Sequence, residues 1–439
     1  MITASAAEEK KEEKTVWFPP VPASIEDTGL DLLFLVELIT KTFYVNGILR
    51  IPEISEYIKL PPNLVEDLLD FMRREKYCEI RGGSGTTASF LFELTDLGRS
   101  RAVDFFNRSQ YVGPAPVPLE MYAEVSSQQT VKNIFITRDN IRRVFQNLII
   151  KESLIDQIGP AINSGKPIFL YGPPGIGKTY LAGHIVSLLE GNIYIPYALA
   201  VDNQIIKLFD PTNHEPVSPS LSQEKHLSLL KKESYDQRWI YSKRPVVLAG
   251  GELTMDMLDL QFNPVSKYYE APLQLKANHG MFIIDDLGRQ TIPPFVLMNR
   301  WIMPLENHFD FLTLHTGKKF PIPFDIIVVF STNFPPKDLA DEAFLRRIGY
   351  KLKIDYLELE EYEKIFKQFC QRKGIPYDQE MFSYLVKEHH EKKGVRFVAC
   401  YPRDIIEQVI DLCHYHSVPL KFSKEFIDQA WDDYFVTDF

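Results

Sequence analysis

Apolar residues repeat at helical spacing in the first part of the chain and in short unbroken runs later, and the changes of period mark out its parts. The run LDLLFLVELITKTFYV from Leu30 predicts a helix. IPEISEYIKL and PPNLVEDLLDFMRREKY predict two more, with Pro61 and Pro62 opening the second. CEIRGG and ASFLFELT read as strands around the turn GGSGTT, and LGRSRAVDFF as a short helix after them. Residues 111–129, YVGPAPVPLEMYAEVSSQQ, are rich in proline and small residues and read as a linker. Two helices are expected at RDNIRRVFQNLII and ESLIDQIGPAI, and buried strands at Pro167–Tyr171, Phe282–Ile284 and FDIIVVFSTN.

The first of those strands runs into GPPGIGKT, followed by a helical pattern with Leu181, Ile185 and Leu188 on one face. In this spacing Gly172, Gly175 and Gly177 can turn successive backbone N–H groups toward a polyphosphate. Pro173, Pro174, Ile176 and Tyr180 complete the expected nucleotide contact, Lys178 would reach the outer phosphates, and Thr179 would ligate Mg²⁺. An ordinary glycine-rich turn is the alternative, and the strand–loop–helix context argues against it. MFIIDDLGRQ supplies the acidic partner: Asp285 as the magnesium-side carboxylate and Asp286 as the water-orienting one. Asn333, ending the strand FDIIVVFSTN, can hold the γ-phosphate or the water.

With these pieces in order, residues 135 to about 435 resemble the AAA+ ATPases. The resemblance implies a three-layer αβα nucleotide domain with a small helical lid, ATP and Mg²⁺ as cofactors, and assembly into a ring, with a hexamer expected. It also implies an arginine finger at Arg346 or Arg347 in FLRR, acting on a neighbour's nucleotide, and a second sensor arginine at Arg403 in YPRD. Two short strands around HTGKK resemble the pre-sensor hairpin of MoxR-type ATPases and enhancer-binding activators. The chain departs from those groups in having Asp286 where they have Glu, and a shorter reach predicts slow turnover. Within residues 192–280, IYIPYALAVDNQIIKLF reads as a hairpin around Asp202-Asn203. The whole stretch reads as an insertion, with Gly250–Thr254 as a candidate contact loop or a structural flap.

Three helices and a two-stranded wing resemble a winged helix-turn-helix module. The expected division is a disordered tail (1–27), the α+β winged-helix-like domain (28–107), a linker (108–130), the α/β nucleotide domain (131–355) and the lid (356–439). A net charge of -10 and pI near 5.6 give nucleic acid no electrostatic advantage. The second turn-helix exposes Glu66, Asp67, Asp70 and Glu75 beside Arg73, Arg74 and Lys76, so contact with a protein substrate or adaptor is favoured over duplex DNA. The wing's Arg81 changes little. Cys78, Cys370, Cys400 and Cys413 have neither metal-site nor disulfide-framework spacing. No apolar run approaches the roughly 18 residues of a membrane helix, and the first residues lack a signal-peptide core, so a cytoplasmic protein is expected. Three functions follow: a ring ATPase that remodels a protein or protein complex, an ATP-dependent transcription or DNA-transaction factor, and a slow nucleotide switch.

Overall fold

The computed structural model describes residues 17–82, 89–217 and 235–435. Most of the expected tail (1–16) and most of the turn GGSGTT lie outside them. Residues 17–31 pack rather than trail: Thr28 is fully buried, and Pro19 O accepts from Asp236 N–H at 3.0 Å.

α1 (Leu32–Asn46) is the central helix of the N-terminal module, buried continuously from Leu35 to Phe43 apart from Glu37. α2 (Ile51–Ile58) and α3 (Pro62–Arg74) pack against it, α3 through Val65, Leu68, Leu69 and Met72. β1 (Cys78–Gly82) pairs antiparallel with β2 (Leu91–Leu94), and α4 (Asp96–Arg108) follows, capped by Thr95 Oγ1 accepting from Gly98 N–H.

The expected linker is structured. β3 (Val117–Pro118) pairs with a later strand and α5 (Leu119–Gln128) packs beneath it. Tyr111, Ala115, Val117, Tyr122 and Val125 are buried, an apolar series that the proline and small residues between them obscure. α6 (Arg138–Val144) and α7 (Glu152–Asn163) lead to β4 (Ile168–Tyr171), the phosphate loop and α8 (Lys178–Val186).

Next come β5 (Asn192–Pro196), the hairpin β6 (Ala198–Val201) and β7 (Gln204–Lys207), β8 (Trp239–Lys243) and β9 (Val246–Ala249). Asp202 and Asn203 take φ of 53° and 59°, the left-handed pair that closes a two-residue hairpin. β10 (Gln261–Phe262), β11 (Tyr269–Glu270) and α9 (Leu273–Lys276) precede the acidic strand β12 (Met281–Ile284). α10 (Pro294–Asn307), the hairpin β13 (Phe309–Thr313) and β14 (Lys319–Pro323), and β15 (Ile327–Thr332) follow. α11 (Pro336–Leu339), α12 (Glu342–Arg347) and β16 (Tyr350–Lys353) close the α/β part.

The principal sheet is parallel, in the order β16-β4-β15-β12-β9. β9 corrects the expected insertion: residues 192–280 contain one of the principal sheet's own strands, in register with β12 from Val246↔Met281 to Ala249↔Ile284. A second five-stranded sheet runs in the order β10-β11-β7-β6-β3, and the N-terminal module is welded to it through Ala198 and Ile205 in its own core, while β1-β2, β5-β8 and β13-β14 are separate antiparallel pairs. A buried pair reinforces the joint: Arg238 binds Asp236 and donates to Thr28 O at 2.8 Å.

The C-terminal unit is helical: α13 (Leu359–Lys373), α14 (Gln379–Tyr384) running into a π-helical turn at Leu385–Glu391, α15 (Tyr401–Tyr415) and α16 (Lys424–Tyr434). Its core contains Tyr362, Phe366, Leu385, Ile405, Val409 and Trp431.

Candidate nucleotide site

β4 is buried on both faces between β15 and β16, so the chain must leave the sheet abruptly after Tyr171. Gly172 permits this, since a Cβ there would stand 2.0 Å from Ile354 O. Gly175 and Gly177 hold φ of 75° and 89° and curl the loop before α8 begins at Lys178.

Lys178 Nζ donates to Gly172 O, Pro173 O and Asn333 Oδ1 at 2.9, 2.8 and 2.7 Å. Burial lowers its pKa, opposed by the carboxylates of Asp286 and Asp285. Asn333 Nδ2 in turn donates to Asp286 Oδ1 at 3.3 Å, so Lys178, Asn333 and Asp286 form one chain of contacts. Thr179 Oγ1 donates to Asp285 Oδ2 at 2.6 Å, while Asp285 Oδ1 is buried without a hydrogen-bond partner among the described residues. A hydroxyl oxygen beside a carboxylate with an unsatisfied buried oxygen is a hard donor set, and it fits a magnesium ion.

Beside the loop lies a cavity of about 490 Å³ between the α/β part and the helical unit. Leu148, Ile150 and Leu154 line one side and Ile365 and Phe369 the other, with Gly175, Ile176, Gly177 and Tyr180 at the loop end. An apolar slot opening onto a phosphate cradle suits a flat heterocycle joined to a polyphosphate. Arg403 also lines it and binds Asp404 through Nε at 2.7 Å, which raises its pKa. Cys400 N–H donates to Gly175 O at 3.1 Å, tying the helical unit directly to the loop.

The two FLRR arginines differ. Arg347 binds Glu306 at 2.9 Å and donates to Ala343 O at 2.7 Å, whereas Arg346 is exposed with no ion pair or hydrogen bond among the described residues. Pro174, expected at the nucleotide, is exposed, as are Gly175, Thr179 and Tyr180. The candidate contact loop follows β9 beside the acidic strand; Leu253 is buried, and the Glu252 carboxylate accepts from Gly250 N–H at 2.9 Å.

Sequence reading missed the cavity walls around Leu148 and Phe369 and the contact at Cys400. The apolar run NLII and the position of Cys400 just before YPRD were the available signals. It also missed Gln290, whose buried amide follows the acidic pair.

A domain of unknown function, DUF8689, matches residues 358–433, most of the helical unit. Over 99 residues the chain is 32% identical to the Holliday junction branch migration complex subunit RuvB of Thermomicrobium roseum, covering 22% of this chain and 26% of that protein. The match thus spans about a quarter of the relative's length. Among solved structures, the Thermotoga maritima RuvB branch migration motor is 14% identical, with 66% of this chain and 70% of that one covered and a TM-score of 0.37. NtrX of Brucella abortus in complex with ATP is 12% identical, with coverages of 70% and 59% and a TM-score of 0.38.

Proposed function

We propose that the chain is an AAA+-type ATPase that assembles into a ring and couples ATP hydrolysis to remodelling of a protein or protein complex. The observation that carries the ATPase reading is the pairing of Thr179 with Asp285, one oxygen of which is buried and unsatisfied, opposite the Lys178–Asn333–Asp286 chain. The N–H groups of Gly172–Thr179 receive the polyphosphate, and Lys178 exchanges its carbonyl partners for phosphate oxygens. Thr179 and Asp285 would hold a magnesium ion, which would supply neutralising charge to those oxygens. Asp286 orients and deprotonates the attacking water, and Asn333 fixes the carboxylate that does so. Arg403 faces the nucleotide from the helical unit, which acts as the lid.

Exposure of Arg346 beside a tied-down Arg347 supports Arg346 as the residue offered to a neighbouring subunit. The winged-helix-like module acts as an adaptor for protein, on the evidence of the acidic outward residues of α3. The test is a Mg²⁺–ATP binding titration of wild type and Lys178→Ala, paired with steady-state phosphate release. Loss of binding with a retained melting transition is expected, and wild-type affinity in the variant refutes the reading.

The segment similar to RuvB, a subunit named for branch migration of Holliday junctions, favours a second reading in which the substrate is duplex DNA. A steep salt dependence of binding to a DNA duplex distinguishes the two.

A further inference from the structure

The turn from Asp285 to Gln290 places the second carboxylate, and it does so in an unusual backbone state. Asp286 has φ of 48°, a left-handed conformation that a residue with a Cβ rarely adopts. An aspartate has one methylene fewer than a glutamate, so its oxygens go where the backbone sends them. The turn is tied to β15 where Leu287 N–H donates to Ser331 O at 2.8 Å and Thr332 Oγ1 donates to Leu287 O at 2.6 Å; within it Arg289 N–H donates to Asp286 O at 2.9 Å, and a Cβ on Gly288 would stand 3.1 Å from the Phe334 and Leu339 side chains. None of these joins Asp285 to the residues beyond Asp286.

Gln290 does span it. Its Nε2 donates to Asp285 O at 2.8 Å and its Oε1 accepts from Gly288 N–H at 2.9 Å, so one side-chain amide closes both ends of the turn. The residue is 9% exposed, which leaves little water to replace either bond. We propose that Gln290 is a positioning residue for hydrolysis: its amide holds Asp286 in the left-handed state that keeps the carboxylate on Asn333 and above the phosphate loop. This rests on the ATPase reading, with Asp286 as the group that handles water. Binding of the nucleotide depends on Gly172–Thr179 and Asp285, whose N–H is separately held by Ala249 O at 2.8 Å. Loss of Gln290 therefore acts on turnover and spares binding.

The experiment compares wild type with Gln290→Ala, Gln290→Met and Gln290→Glu, reading kcat, KM, the Kd for ATP and the melting temperature. Met keeps the length without polar atoms, and Glu keeps the acceptor for Gly288 N–H while losing the donor to Asp285 O. The expected result is a fall of about 10²-fold in kcat for Ala and Met, as for a misplaced catalytic group. KM and Kd stay within about threefold, and Glu falls between. Turnover within about twofold of wild type in both Ala and Met overturns the proposal alone. Equal losses in Kd and kcat, or failure of all three variants to fold, make Gln290 a structural residue and overturn it as well. A wild type that binds ATP but releases no phosphate overturns the ATPase reading and the proposal together.

Discussion

Gly175 is where the phosphate loop and the helical unit meet, and Gly175→Ala tests whether that contact matters to nucleotide binding. A Cβ at this position would lie 2.7 Å from Cys400 Sγ and 2.9 Å from Val398 Cγ1, in a backbone with φ of 75°. The left-handed conformation costs alanine about 1–2 kcal/mol. Crowding against two packed side chains adds about 1–3 kcal/mol. Withdrawal of the helical unit relieves the crowding but forfeits the Cys400 N–H bond to Gly175 O, worth about 1 kcal/mol net. The loss then settles near 2–3 kcal/mol, or about 30- to 150-fold in nucleotide affinity. A fluorescent-nucleotide titration reads the affinity, and hydrogen exchange across residues 398–403 reads the withdrawal. Adding Val398→Ala and Cys400→Ala restores room for the methyl and leaves only backbone strain, so most of the exchange protection should return and about a tenfold loss in affinity remain. Wild-type affinity in the single variant, or an equal loss in single and triple variants, would show that the contact has no bearing on binding.

Mixing Arg346→Ala/Arg347→Ala with Asp286→Asn, each inactive alone, should restore part of the turnover if Arg346 completes a neighbour's site; associated mixtures that restore nothing place both arginines outside trans catalysis. Burial lowers the pKa of His390 to about 4, so its neutral form stabilises the helical unit fully above the ordinary value of 6.5, and that stability is lost as pH falls toward 4. The slope is at most about 1.4 kcal/mol per pH unit and the total about 3 kcal/mol. Urea melts followed through Trp431, whose ring lies 4.9 Å from His390, should show it, and His390→Phe should flatten the pH dependence. Deleting residues 1–110 should destabilise the α/β part, because it strips the cover from Ala198 and Ile205 and leaves Arg238 without Thr28 O; an unchanged melting temperature would contradict the shared core.

What the sequence disclosed was local. The phosphate loop, the acidic strand and Asn333 each sit at the end of a short apolar run, so period and spacing within about ten residues were enough to find them. The same rule failed at VVLA, which forms β9: a four-residue apolar run has no period of its own, and its place in the sheet depends on pairing with β12. It failed again at 111–129, where proline content outweighed seven buried positions spread over a turn, a strand and a helix. The cavity could not be read because its walls come from residues 147–157, 353–372 and 399–403 as well as the loop, and only the tertiary fold brings these together.

The choice between the two FLRR arginines shows where the limit lies in energetic terms. Neighbours in sequence on one helix end, they are the same residue type with the same local propensity, and nothing in the sequence of α12 separates them. Glu306, on α10, does: its carboxylate takes Nε and Nη2 of Arg347 at 3.1 and 2.9 Å, while Ala343 O takes Nη1. Releasing Arg347 to act elsewhere would break three charge-assisted hydrogen bonds, two of them to the Glu306 carboxylate. Arg346 gives up none. The unengaged side chain is the cheaper one to redirect, which supports the proposal that Arg346 is offered to a neighbouring subunit's phosphate, and the support comes from a residue 41 positions from Arg347 in the chain.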